Sequence, residues 1–305
     1  MGGPIKIKKG YDLYFYYLAI PAFIILVLIN YYSRNFKIEG LDLGFTMSVV
    51  SFLLGFIVSV TFSLLFARVG SLKDFLATES GRLTSLFLLS KSLGKEFHER
   101  IKERIDSYTI QTLRDYSNYE NSRKHFDGMY HDVKYMEIKD SNQEATANSF
   151  LYILGELSTV REHLEYLTSG RVLKTLKLSN YLLGIFFIVL LFLNRSNFFT
   201  NMLFIFLSIV IILLLLIMED YDSLRIHDYL INISNSEQIF DLIEKPRYYP
   251  KAVLGKVVLK NGENYRIGIY DKKTGEENVY NISYTGTKKL RLGSLNKRLF
   301  KGSVE

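Results

Sequence analysis

Residues 43–67 read LGFTMSVVSFLLGFIVSVTFSLLFA, an uncharged run that closes on Arg68. At a helical rise of about 1.5 Å per residue, the run covers the roughly 30 Å of hydrocarbon in a bilayer. At about 100° per residue, Ser48, Ser51, Phe52, Gly55, Ser59, Phe62, Ser63 and Phe66 gather on one side. Val49, Val50, Leu53, Leu54, Ile57 and Thr61 fall mostly elsewhere. A hydroxyl in hydrocarbon without a partner costs free energy, so the serine side is expected to meet protein or water. Two readings follow. Small residues let another helix approach closely. Alternatively, copies of this side surround an axis, where hydroxyls wet a path and Phe rings form a constriction that gates by dewetting.

Three further apolar blocks accompany this one: Leu13 to Asn30, about Leu178 to Asn194, and Met202 to Met218. The first carries Pro21, which is expected to kink it, and is flanked by Tyr11, Tyr14, Tyr16 and Tyr17 on one side and by Tyr31 and Tyr32 on the other, as interfacial aromatic belts require. It is longer than the apolar core of a signal peptide and lacks a small-x-small cleavage site. Lys177 lies at the edge of the third block and can snorkel to the headgroups. Only Arg195 to Thr200 separates the third block from the fourth, so these two form a tight antiparallel pair. Lys6, Lys8 and Lys9 precede the first block, Arg68 and Lys73 follow the second, and Arg171, Lys174 and Lys177 precede the third. The loops 33–42 and 195–200 hold only Arg34, Lys37 and Arg195, with Glu39 and Asp42 beside them. The positive-inside rule then places both termini in the cytoplasm of a multi-pass cell-membrane protein.

The expected fold is a mostly α membrane protein with four transmembrane helices, a long helical cytoplasmic insertion and a small C-terminal β-rich domain. Its divisions are 1–68 with the first two spans, 69–175 helical, 176–218 with spans three and four, 219–249 a juxtamembrane linker, and 250–305 β-rich with a basic tail. Within the insertion, Leu72, Phe75, Leu76, Leu83, Leu86 and Phe87 continue the second span as a helix that stops near Gly94. Phe97, Ile101, Ile105, Tyr108 and Leu113 mark a second helix over Lys95 to Tyr119. Ser141 with Glu144 resembles a capping box opening a third, which Leu151, Ile153, Leu154, Leu157, Val160, Leu164 and Leu167 carry to Gly170. After Pro250 the spacing predicts a three-stranded meander of Ala252 to Lys260, Asn264 to Tyr270 and Asn278 to Tyr284, with Asn261-Gly262 as the first turn.

Composition excludes much. The 305 residues are 48% hydrophobic and 23% charged, with a net charge of +7 and no cysteine, so disulfide scaffolds, thiolate nucleophiles and zinc ribbons are ruled out. His98, His125, His131, His163 and His227 never pair at metalloprotease spacing, and no phosphate-cradling glycine loop or serine elbow is present. No enzyme, cofactor or metal site is expected. Lys288, Lys289, Arg291, Lys297, Arg298 and Lys301 read as a solvated tail, and nucleic acid is not an expected partner.

The stretch Ser51-Phe52-Leu53-Leu54-Gly55-Phe56 resembles the second membrane helix of the bestrophin family of anion channels. Asp74 to Leu83 is similar to the pattern that follows that helix in prokaryotic bestrophins and in divergent bestrophin-like membrane proteins. The order of elements is similar too. The resemblance implies a homopentamer around a central pore, with neck positions carried over to Ser48, Phe52 and Phe56, where Ser48 departs from the family's large apolar residue. The wheel sets Phe56 off the Ser48 side, so the carry-over requires a bent helix; otherwise Phe62 or Phe66 takes the inner position. The absence of Trp is a second departure. Animal members bind calcium near the end of the fourth span, whereas Glu219, Asp220 and Asp222 here read as interfacial charges. The function expected is an oligomeric channel for small ions, Arg68 favouring anions. A non-conducting membrane scaffold or sensor, binding a cytoplasmic partner through the helical region and β-rich tail, is the alternative.

Overall fold

The computed structural model describes residues 14–33, 43–114, 119–170, 172–223, 228–254, 257, 259–270 and 277–284. The readings placed on Lys6, Lys8 and Lys9, on the loop 34–42, and on the basic tail lie outside these residues. The described helices are α1 (Tyr14–Tyr32), α2 (Gly44–Ser90), α3 (Lys95–Arg114), α4 (Arg123–Asp132), α5 (Ser141–Ser169), α6 (Lys174–Leu193), α7 (Phe198–Asp222) and α8 (Asp228–Leu242). The strands are β1 (Arg247–Pro250), β2 (Asn264–Tyr270) and β3 (Glu277–Ser283). Two compact units divide them. One holds α1, α2 up to Ser71, α6 and α7; the other holds α2 from Leu72, then α3, α4, α5, α8 and the sheet.

Three stretches of the described residues are long and apolar enough to cross a membrane: Gly44–Ser90, Ser141–Leu193, which contains α5 and α6, and Phe198–Asp222. The apolar described part of α1, Leu18–Tyr32, is shorter. Leu26, Leu54, Leu191, Phe204 and Ile211 form the core of this apolar unit. At Gly184 an added Cβ would lie 3.2 Å from Leu215 and 3.3 Å from Ile211, so the missing side chain lets α6 approach α7 closely. Asn197 caps α7: its side chain accepts from the Thr200 amide at 2.9 Å, and the Thr200 hydroxyl accepts from the Asn197 amide at 3.0 Å.

In the helical unit most residues of the periodic stripes are buried, whereas Leu151 of the expected α5 stripe is 41% exposed. Phe97, Ile101, Ile105 and Tyr108 of α3 are buried, as are Leu154, Leu157, Val160 and Leu164 of α5. Gly94 sits between α2 and α3 at φ +108°, a conformation only glycine adopts without strain. The start of α5 differs from the sequence reading: Asp140 is the cap, its carboxylate accepting from the Gln143 amide at 2.7 Å, while the Gln143 side chain accepts from the Lys139 amide. An aspartate directly before the helix reaches that amide without strain and outcompetes the Ser141–Glu144 box. Helices α4 and α8 were not assigned from the sequence, although α4 buries Phe126 and Met129 and α8 buries Ile233, Ile239 and Phe240; α8 occupies much of what reads as a linker at 219–249.

The sheet has order β1-β2-β3, with β2 and β3 antiparallel. Two of the three expected strands are therefore found, joined to the Asn261-Gly262 turn in which Gly262 has φ +84°. The first is not. Residues Lys251–Val253 form a short 3-10 turn, and Arg247–Pro250 pairs with β2 in parallel, Arg247 opposite Tyr265. Burial of Tyr248 and Tyr249 draws this segment inward, and Pro250 ends it because it has no amide to donate. The meander is thus corrected to a mixed sheet that shares one core with α2, α3, α5 and α8.

Beyond the apolar part of α2, Glu79 is buried and accepts hydrogen bonds from the hydroxyls of Tyr108 and Tyr119. Burial raises its pKa to about 7, opposed by those two hydroxyls and by the charge of Arg161. The folded carboxyl therefore holds its proton to higher pH than the unfolded one, and stability falls as pH rises from about 4.5 to about 7. The full effect is about 3 kcal/mol at 1.36 kcal/mol per unit. Between pH 5 and 7.5 the thermal midpoint is expected to drop by several degrees more in the wild type than in Glu79→Gln. Equal slopes would remove Glu79 as the cause.

Candidate functional site on the second helix

Along the apolar part of α2, Val50, Leu54, Thr61 and Leu65 are buried, which marks the side packed within the chain. The nine positions singled out by sequence lie away from it. Ser48, Ser51, Phe52, Gly55, Phe56, Ser59, Ser63 and Phe66 are exposed and Phe62 is half-buried. Phe52 and Phe56 are 73% and 61% exposed, so the uncovered arc is wide enough to hold both. Helix α2 runs unbroken from Gly44 to Ser90, and steps of four advance only about 40° around it.

The hydroxyls are less free than the wheel suggests. Ser48 donates to the Gly44 carbonyl at 2.9 Å and Ser51 to the Ser48 carbonyl at 2.9 Å, so their donors are met by the helix itself. Phe66 stands edge-on to Tyr221 of α7 at 5.3 Å, with Phe62 5.7 Å away. Phe66 is thus partly engaged by its own chain.

Sequence reasoning missed two polar features that fix α2. Asn180 of α6 is fully buried and donates to the Thr61 hydroxyl at 2.7 Å, and Thr61 in turn donates to the Ile57 carbonyl. At the Arg68 end, Asp222 is 3% exposed and gathers three partners: the Val172 amide at 2.8 Å, Lys177 at 3.0 Å and Arg68 at 3.6 Å. Arg68 also donates to the Asp222 carbonyl at 3.1 Å. Lys177 bridges on to Glu219 at 2.5 Å, and Tyr181 donates to Glu219 at 2.9 Å. Lys177 is therefore held by carboxylates where a snorkelling side chain was expected. Arg68 is likewise offset by Asp222. The signal was present as basic residues near the start of α6 and acidic ones at the end of α7, but the Lys177–Asp222 pairing spans 45 residues and no local pattern predicts it.

The bestrophin-like domain profile matches residues 39–223, which covers α2 through α7. The chain belongs to the bestrophin-like family. A bacterial bestrophin homologue from Klebsiella pneumoniae, phased with zinc, is similar in structure with a TM-score of 0.59 and 12% identity, over 76% of this chain and 98% of that one. A point variant of a bestrophin homologue from the same organism gives 0.57 and 12%, over 75% and 98%. A structure described as a membrane protein variant gives 0.59 and 11%, over 76% and 98%. No match is found among curated proteins. At such low identity these likenesses establish a shared fold. Membership of the bestrophin-like family, known for anion channels, rests on the profile match. Glu219 and Asp222, where animal bestrophins suggested calcium, here serve as counter-charges to Lys177 and Arg68.

Proposed function

We propose that this bestrophin-like chain spans the cell membrane four times with both termini in the cytoplasm, assembles as a homopentamer, and conducts small anions along a path lined by α2. Ser48, Ser51, Gly55, Ser59 and Ser63 form the polar part of that lining, and Phe52 and Phe56 the neck, with Phe62 and Phe66 further along. One observation carries the reading: within a single chain, α2 leaves uncovered the side on which these residues lie, while Val50, Leu54, Thr61 and Leu65 face inward. Rings of Phe present positive edges to an anion and repel water when narrow. Selectivity then rests on the neck, since Arg68 is offset by Asp222.

The test is single-channel recording of purified protein in planar bilayers. Phe52→Ala and Phe56→Ala are each expected to raise conductance or open time several-fold; Phe66→Ala has a smaller effect, because its ring rests on Tyr221. No current above bare bilayers, with and without calcium and with both alanine variants equally silent, overturns the proposal. The second reading, a non-conducting scaffold or sensor, draws support from the back-bonded hydroxyls of Ser48 and Ser51, which need no water. It expects silent bilayers and a cytoplasmic partner whose capture requires residues 250–305.

A further inference from the structure

A cavity of about 530 Å³ opens in the helical unit between α4 and α5. Arg161 lies against it with a side chain only 4% exposed. Its Nε donates to the Ser122 hydroxyl at 3.4 Å, and its Nη2 to the Glu120 carbonyl at 3.4 Å and the Glu165 carboxylate at 3.5 Å. All three bonds are at the long limit for a charged donor. Nη1 donates to no described residue. An arginine cannot shed its proton, so a buried guanidinium with idle donors borders an open volume.

The other charges around the cavity decide what fits. Arg123 is the second cation, whereas Asp127, Glu162 and Glu165 supply three carboxylates. A simple anion meets the guanidinium but also the acids. A simple amine meets the acids but also the guanidinium. A molecule bearing both charges satisfies each side. Phe126, Tyr130 and Tyr166 add aromatic wall, with the Phe126 ring 5.8 Å from the Arg161 guanidinium and 5.4 Å from Tyr130. The volume is within the range of small-molecule sites.

We propose that this cavity binds a free α-amino acid with an apolar or aromatic side chain, its carboxylate on Arg161 and its ammonium between Asp127 and Glu162. The site is independent of conduction. It is also linked to protons. Arg161 of α5 acts on Glu79, which is faced by Tyr108 of α3 and by Tyr119 of the following 3-10 turn. A carboxylate that neutralises Arg161 removes the charge that holds the Glu79 pKa down, so binding near pH 7 takes up a proton.

The test is calorimetric titration of the full chain in detergent at pH 7, in two buffers of different ionisation enthalpy. The probes are L-phenylalanine, phenylacetate and phenethylamine. L-Phenylalanine is expected to bind at least tenfold more tightly than either fragment. Arg161→Lys, which keeps the charge but loses the fork, weakens it at least tenfold. Glu162→Gln, on the exposed rim, weakens L-phenylalanine several-fold and spares phenylacetate. Glu79→Gln keeps binding and loses the proton uptake. Absence of L-phenylalanine binding to the folded wild type overturns the proposal, as does phenylacetate binding equally well, or affinity unchanged in both Arg161→Lys and Glu162→Gln.

Discussion

Asp222→Ala is expected to destabilise the apolar unit by about 3–5 kcal/mol, the usual result of removing one partner from a buried ion pair. The carboxylate is 3% exposed and is shared by the Val172 amide, Lys177 and Arg68. Without it, the amide loses its acceptor and two largely buried cations lose a counter-charge. Lys177 retains Glu219, which sets the effect toward the lower end. At about 2–4 °C per kcal/mol for a chain of this size class, the thermal midpoint in detergent falls by roughly 6–12 °C. Asp222→Asn keeps an acceptor for Val172 and is expected to fall between. Glu219→Ala removes a carboxylate that is 45% exposed and should cost under about 1 kcal/mol. A midpoint for Asp222→Ala within 1 °C of wild type, or equal losses at the two acids, would contradict this account.

The second large effect is expected at Asp106. Arg266 of β2 forks both terminal nitrogens onto both carboxylate oxygens of Asp106 on α3, at 2.7 and 2.6 Å, with the pair 11% and 9% exposed. The same guanidinium donates to the Pro246 carbonyl at 2.8 Å and lies 5.0 Å from the Phe240 ring. Asp106→Ala leaves that cation buried with neutral partners only, and about 3–5 kcal/mol of stability is lost. Hydrogen exchange of the β2 amides is the sensitive readout, since the pair joins sheet to helix. The double variant Asp106→Leu with Arg266→Met is expected to recover most of the loss, because a buried pair contributes little beyond its own desolvation. Protection of β2 that survives Asp106→Ala would show that the shared core alone holds the sheet.

Much of this was legible because it is local. Apolar run length identified α2, α6 and α7 as span candidates, and three- and four-residue steps marked the stripes of α3 and α5 that the core uses. Asn261-Gly262 announced a turn because glycine is required at φ +84°. The first strand was misplaced by a few residues, since alternation over Ala252 to Lys260 looks the same whether or not a partner strand is available. Parallel pairing of Arg247–Pro250 is a long-range choice, made by burying Tyr248 and Tyr249. The site shows the same division. The wheel found a serine and Phe side on α2, yet it separated Phe56 from Phe52, because it could not tell how wide an arc neighbouring helices leave open.

The amino-acid order by itself determined the longer helices α2, α3, α5, α6 and α7, which stretches are apolar enough for a bilayer, and which side of α2 carries hydroxyls and Phe, because rise, periodicity and side-chain polarity act over a few residues. Only the folded chain decided that Val50, Leu54, Thr61 and Leu65 form the hidden side, that Asn180 holds Thr61, and that Lys177 and Arg68 end on Asp222. Those outcomes depend on competition among distant partners for the same buried space and the same donors, and that competition is settled only when the helices meet.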